Sequence, residues 1–294
     1  MAEGKKFWEK YAEAWVKFWF SYKIRIWNFN PVWTVCDAMT KNRMVEKNGY
    51  SFFRGMHTGI GLPFEKDTMQ FSFDAVRFFK GLGIRVAVPG MYIKKAVFLA
   101  KVFGMQLKKY KDAFGKTETL LQNLDRDFGK RFRLYDRLVY WKVANRITPE
   151  DRAEMLKVIT LYNEQKKKGM DIAKKQFLYP HQAVKEVENF QLFSRLLNTK
   201  DSEYGAVIAM RGDNQMLGYL SFLLDKRTNI WYAINLRYDR NIKAFGHWLW
   251  YLAGQYAKDK GIEYENDGGW DDDKLKFTKL KYLGGTIETK FLVL

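Results

Sequence analysis

Residue types that can move a proton and hold an anion crowd into the last third of this 294-residue chain. Asp267 stands at the end of the run Ile262-Glu-Tyr-Glu-Asn-Asp-Gly-Gly269, where it could accept a proton or cap the helix that Trp270-Asp-Asp-Asp273 begins. Tyr264 and Tyr232 carry phenols that could donate one, or fill a core as strand tyrosines do. Lys279 and Lys281 could bind a phosphate or carboxylate. With Lys274 and Lys276 they also alternate with Leu275, Phe277 and Leu280 as a solvated face would. Arg237 and Arg240 are candidate phosphate contacts, and Asn235 and His247 stand near them in sequence.

These side chains need a scaffold, and the apolar pattern supplies one. The runs Tyr204–Met210 and Met216–Leu224, either side of Arg211-Gly-Asp-Asn214, predict a hairpin. A third run, Asn229–Tyr238, follows the polar turn Asp225-Lys-Arg-Thr228. From Phe245 the period changes: Phe245, Trp248, Leu249, Leu252 and Tyr256 fall at helical spacing, closed by Lys258-Asp-Lys-Gly261. Three antiparallel strands, a helix, a short strand into Gly268-Gly269 and a second helix are expected. Upstream, Thr148-Pro-Glu-Asp151 reads as a helix start, with Met155, Ile159 and Tyr162 on one face and a stop at Lys166-Lys-Lys-Gly169.

This order, with Lys276-Phe277 and Lys279-Leu-Lys-Tyr-Leu-Gly-Gly285 behind it, resembles the C-terminal half of the Gcn5-related N-acyltransferase (GNAT) fold. More narrowly it resembles the FemABX aminoacyl transferases and the C-terminal domain of phosphatidylglycerol lysyltransferases. In those families a strand ending in Asn/Asp-Gly-Gly leads into a helix and a Phe-Lys-x-x-x-Gly stretch. Either Lys279 or Lys281 could be the counterpart of that Lys. Thr117–Arg133 resembles the family's Arg/Lys-rich helix and Leu138–Val143 the strand after it. Phe71–Gly83, Ile84–Val88 and a helix through Phe98 and Met105 would end a first, divergent copy. The resemblance implies an α/β (α+β) chain of tandem GNAT-like mixed sheets flanked by helices. Its segments would be an N-terminal amphipathic aromatic helix (1–30), a divergent GNAT-like half (31–143) and a C-terminal GNAT-like half (144–294).

The same resemblance implies acyl- or aminoacyl-transfer to an amine or hydroxyl. The third strand of the unit would splay from the next, bringing Tyr232 to Leu236, Asn235 among them, to the reaction centre. Asp267 would take the amine proton, and Tyr264 or Tyr232 would protonate the leaving group. Donor binding would fall to Arg237, Arg240, Gly246, His247, Gly268, Gly269, Lys279 and Lys281. A pantetheine donor would use a loop of the form Arg/Gln-x-x-Gly-x-Gly/Ala, whose N–H groups cradle a pyrophosphate. The corresponding stretch Arg240-Asn-Ile-Lys-Ala-Phe-Gly-His-Trp248 has only Gly246, and Trp248 stands where a small residue belongs. Aminoacyl-tRNA is therefore expected as donor ahead of acyl-CoA. The alternative is a catalytically inactive GNAT-like binding protein, a protein inhibitor or nucleic-acid binder working through a basic, aromatic-rich surface.

Charge bears on the partner. With 51 Lys and Arg against 33 Asp and Glu, the formal +18 favours a polyanion, tRNA or DNA. Lys108-Lys109 and Lys166-Lys-Lys168 are expected on solvated helix faces. Cys36 is the single cysteine, so no intrachain disulfide forms. His57, His181 and His247 lie far apart, so no metal site is expected. Trp8, Tyr11, Trp15, Phe18, Trp19 and Tyr22 make one aromatic face of a helix. It would pack on the chain's own core or a sister subunit, and otherwise on a membrane surface or a partner protein. No signal peptide is evident and no apolar run approaches the roughly 18 residues of a membrane span, so a soluble, cytoplasmic protein is expected.

Overall fold

The computed structural model describes residues 30–41, 44–47, 50–55, 59–60, 87–89, 106–168, 180–212, 214–269 and 273–293, with positions 8, 9, 12, 13, 16, 17, 19 and 20. Helix α1 (Pro31–Lys41) starts at a proline, whose missing N–H is no loss in a first turn, and the Trp33 N–H donates to the Asn30 side chain at 2.8 Å. Strands β1 (Met44–Lys47), β2 (Tyr50–Gly55) and β3 (Gly59–Ile60) form a small antiparallel sheet. β4 (Ala87–Pro89) and the long β5 (Gln106–Lys116) precede α2 (Thr117–Leu138) and β6 (Tyr140–Ala144). Thr148 caps α3 (Pro149–Lys167) through a reciprocal box with Asp151, as its sequence predicts. Helices α4 (Pro180–Glu188) and α5 (Phe190–Leu197) follow. Then comes the expected hairpin, β7 (Ser202–Met210) and β8 (Met216–Asp225), and the third strand, β9 (Ile230–Tyr238). Helix α6 (Phe245–Asp259), β10 (Tyr264–Asn266), α7 (Asp273–Leu283) and β11 (Thr286–Val293) complete the order.

The main sheet has eight strands in the order β4-β11-β5-β10-β9-β8-β7-β6. β9 and β10 run parallel, and every other neighbouring pair in it is antiparallel. One sheet thus takes strands from both the 31–143 and the 144–294 segments. β5 and β11 are not evident from apolar periodicity, and Lys108-Lys109 lie on β5 rather than on a helix face. The expected elements across Phe71–Gly83 and the helix through Phe98 lie outside the described residues.

Alternation sends the strand residues to two cores. Val207, Leu220, Phe222 and Trp231 pack under α2, α6 and α7, against Leu120, Phe132, Trp248 and Leu283. On the other face Tyr204, Ile208, Tyr219 and Tyr232 meet Val35, Met155, Val187 and Phe190 from α1, α3, α4 and α5. Ala12, Val16 and Trp19 of the helical N-terminal segment join this second core, and Trp19 stands edge-on to Tyr232 at 5.5 Å between ring centroids. Trp19 of the aromatic face therefore packs on the chain's own core, while Tyr11, Trp15, Phe18 and Tyr22 lie outside the described residues. Among the described residues no helix is long and apolar enough to cross a membrane.

Candidate functional site at the opening between β9 and β10

β10 stays beside β9 for three residue pairs, ending at Asn266 opposite Tyr232, while β9 runs on to Tyr238. The sheet opens there, at the place that the resemblance implies. The β8–β9 register also slips: Ser221 faces Asn235, but its neighbour Phe222 faces Ala233, which leaves Ile234 as an extra residue. Such a bulge reverses the alternation of everything after it. Asn235 and Arg237 therefore face α3 and α4, whereas strict alternation from Trp231 would aim them at α6.

On that face they meet Glu186 of α4, which is 2 % exposed. Its carboxylate accepts from the Tyr204 hydroxyl at 3.1 Å and from the Asn235 side-chain amide. Burial pushes Glu186 up to about 7, against the opposing pull of the Ser221 and Tyr204 hydroxyls and the Arg237 charge. Arg237 lies over the Tyr162 ring at 5.0 Å and donates to the Asn235 side-chain oxygen at 3.3 Å. Two atoms of this cluster, Tyr219 Oη and Arg237 Nε, are buried without a hydrogen-bond partner. A buried carboxyl with a raised pKa and neighbours that lack hydrogen-bond partners marks a candidate functional site. Glu186, Tyr204, Tyr219 and Ser221 are absent from the residues chosen on sequence. The available signal was a Glu at position 186 on the same helical face as Ala183 and Val187, both buried.

The far wall is the end of β10. Asp267 donates its N–H to the Ala113 carbonyl at 3.0 Å, and Gly268 returns the bond with its carbonyl at 2.8 Å. Gly268 adopts φ +71°, which suits glycine, and its N–H donates to the Asn266 side chain at 2.9 Å. Lys279 ties the turn together through the Asp267 carbonyl, the Gly269 carbonyl at 2.8 Å and the Asp267 carboxylate at 3.3 Å. Lys281 points instead to Asp127 of α2. Of the two candidates, Lys279 is the one at the Gly-Gly turn. Burial raises the Asp267 carboxyl above its usual range, with Lys279 pulling it down. Glu265, fully buried, is raised further, first by burial and then by Asp267, and accepts from the Trp250 indole at 2.5 Å. Tyr264 stacks on Phe114 at 5.4 Å.

Three N–H groups of the stretch before α6 are engaged within the chain. The Arg240 N–H goes to Gln165 Oε1 at 2.6 Å, the Asn241 N–H to Asp239 Oδ1 at 3.0 Å and the Ile242 N–H to the Asp239 carbonyl at 3.1 Å. A Cβ on Gly246 would lie 2.5 Å from the Tyr238 ring, so this glycine serves close packing of helix on strand. His247 stacks on Phe128 at 4.7 Å and packs against Tyr282, between α2 and α7, and burial lowers its pKa. Trp248 is buried and donates to Asp136 at 3.0 Å, away from the opening. Among the described residues no group of His, Cys, Asp and Glu could hold a metal.

The fold is shared with solved structures. The C-terminal domain of a protein described as a lysylphosphatidylglycerol synthetase, from Agrobacterium fabrum, matches with a TM-score of 0.52 at 12% identity, over 85% of this chain and 83% of its own. L-PGS from Bacillus licheniformis matches with 0.58 at 12%, over 88% and 86%. The chain has the GNAT-like fold of the phosphatidylglycerol lysyltransferase domain. A conserved protein of unknown function from Bacteroides thetaiotaomicron shares this fold with a TM-score of 0.64 at 11% identity, over 89% and 88%. No family model and no curated protein sequence matches the chain.

Proposed function

We propose that the chain is an acyltransferase of the aminoacyl-transferring type, moving an acyl group to an amine or hydroxyl acceptor. The observation that carries this reading is the parting of β9 from β10 at Tyr232 and Asn266, with a bulge one residue beyond Ala233. Backbone N–H groups along the opened side of β9 polarise the acyl carbonyl, an arrangement that works because the donors are fixed before the charge develops. The acceptor nitrogen or oxygen attacks that carbon and gives its proton to Asp267, the bond from the acyl carbon to the donor oxygen breaks, and Asp267 passes the proton on to that leaving oxygen. Lys279 holds Asp267 in place, and Arg237 and Arg240 meet the anionic part of the donor. Tyr232 serves as the packed floor beneath, against Trp19.

Aminoacyl-tRNA is favoured as the donor over acyl-CoA. The N–H groups of residues 240 to 242 are already engaged by Gln165 and Asp239, so the stretch makes a poor pyrophosphate cradle. The net charge of +18 suits a tRNA. The test is a single-turnover assay with a pool of tRNA charged with labelled amino acids, offered with amine and hydroxyl acceptors. Label leaving the tRNA faster than by spontaneous hydrolysis, and more slowly with Asp267→Asn, supports the reading. Absence of any such release, with no nucleic acid copurifying at low salt, would leave the opening as a binding site only.

A further inference from the structure

Leu134, Leu138, Tyr140 and Trp141 are 51%, 66%, 65% and 38% exposed, so four large apolar side chains within eight positions face solvent. They lie at the C-terminal end of α2 and the start of β6, the outermost strand of the eight-stranded sheet. Isolated exposed leucines need no explanation, but four such side chains about one edge of the sheet do: Trp141, opposite Ala209, is on the α2 face of β6, and Tyr140, opposite Met210, is on the α3 face. Its setting is cationic: residues 130–146 hold six Lys and Arg against one Asp. Lys130, Arg133 and Arg137 recur with Leu134 and Leu138 at helical three- and four-residue steps, so all five share one side of α2. Lys130 and Arg137 make no ion pair with a described carboxylate, and Arg133 has Asp125 only at 4.0 Å. Asp136 is exposed and accepts from the Trp248 indole, and Lys142 is paired with Asp151 of α3 at 2.8 Å.

We propose that this corner docks the protein on an anionic lipid bilayer, with the leucines and aromatic rings entering the interface and the cations resting on the headgroups. The combination fits that surface because aliphatic side chains gain by leaving water and Trp and Tyr suit the boundary. The long stems of Arg and Lys keep their charges at the phosphate level. A single-stranded nucleic acid would use the two rings and the charges but leave Leu134 and Leu138 in water. A second copy of the chain would set like charges against like across a symmetric contact. The inference concerns where the protein works and stands apart from the transfer chemistry.

The test is co-sedimentation of the full chain with phosphatidylcholine vesicles, with and without phosphatidylglycerol. Binding is expected only with phosphatidylglycerol and should weaken about fivefold for Arg137→Gln, the effect of one cation near such a surface. The double variant Leu138→Ser/Tyr140→Ser should lose binding although every charge remains. Both changes are at exposed positions, so thermal melting should be unchanged. A second measurement does not depend on the variants' affinity: Leu138→Cys carrying an environment-sensitive dye, selective because Cys36 is buried, should shift to the blue on the anionic vesicles. The proposal is overturned by an unshifted dye, by equal binding to neutral vesicles, by salt-sensitive binding that the Ser variant retains, or by RNA binding through these residues without vesicle binding.

Discussion

The side-chain amide of Asn235 on β9 donates to the carboxylate of Glu186 on α4, across a gap that only a bulged strand can bridge. Had β9 kept a strict alternation after Ala233, Asn235 would lie on the α6 face and Glu186 would be a buried acid with fewer partners. An acid in that state is expensive, so the bulge and the glutamate stabilise one another. The pair fixes the backbone of β9 at the point where β10 leaves it. A change at Glu186 is therefore felt at the opening although the carboxylate does not face solvent.

Glu186 should impose a pH dependence on stability. An unperturbed glutamate titrates near 4.5, and burial lifts this one to about 7 in the folded chain. The native state binds the proton more tightly than the unfolded state. The stabilising contribution is then complete below pH 4.5 and is lost as pH rises to 7, on the order of 3 kcal/mol in all. Glu186→Gln keeps the shape and removes the titration. Urea denaturation at pH 5 and pH 8 should show the variant gaining on the wild type as pH rises, and a difference that is the same at both pH values would refute the assignment.

Lys279 and Lys281 should separate sharply. Removing the Lys279 ammonium leaves Asp267 uncompensated at 18% exposure and frees the Asp267 and Gly269 carbonyls. Lys279→Met is expected to lower stability by about 3 kcal/mol, the range for breaking one partner of a buried pair. Lys281→Met removes a pair on the outside of α2 and α7 and should leave the denaturation midpoint nearly unchanged. Equal losses for both would mean that Lys279 is not the tie of the Gly-Gly turn.

Gln165 should matter to the stretch before α6. It donates to Asp239 at 2.7 Å and accepts from the Arg240 N–H at 2.6 Å, so one side chain closes both ends. Gln165→Ala is expected to cost about 1 kcal/mol, the net worth of such bonds. Coenzyme A added to the wild type should leave its melting temperature where it was. A rise of several degrees on adding it would show that the stretch opens to a pyrophosphate after all.

What could be read in the sequence follows from how each element is held. The β7–β8 hairpin, β9 and α6 are fastened by apolar side chains at a fixed period, and α3 announces itself by Thr148 and Asp151. The opening between β9 and β10 was implied only by the resemblance to the acyltransferase fold that the order of those elements and Gly268-Gly269 carry. Asn235 and Arg237 were visible as residues, but the bulge that turns them toward α4 depends on a pairing slip with β8 that no local pattern carries. Glu186 was hidden for the same reason, since its partners come from β7, β8 and β9. β5 escaped notice because Lys108, Lys109 and Lys111 break any apolar alternation. It is a strand because β10 and β11 take up its backbone hydrogen bonds on both sides.

That central place of β5 makes a sharp prediction at Gly115. A Cβ built there would lie 1.9 Å from the Leu283 carbonyl oxygen, a backbone atom at the end of α7, while the neighbouring Phe114 N–H donates to the Gly285 carbonyl at 3.0 Å. Neither group can swing away as a side-chain tip could, so β5, α7 or both must shift to admit a methyl group. Gly115→Ala should destabilise the chain by about 3 kcal/mol, the upper end of ordinary overpacking. Gly212, in the β7–β8 turn with nothing within 4 Å of its built Cβ, is the matched control, and Gly212→Ala should change little. Urea midpoints that fall together for the two variants would mean that β5 does not run against the end of α7. The wall that carries Asp267 would then lose the support of its Ala113 hydrogen bonds.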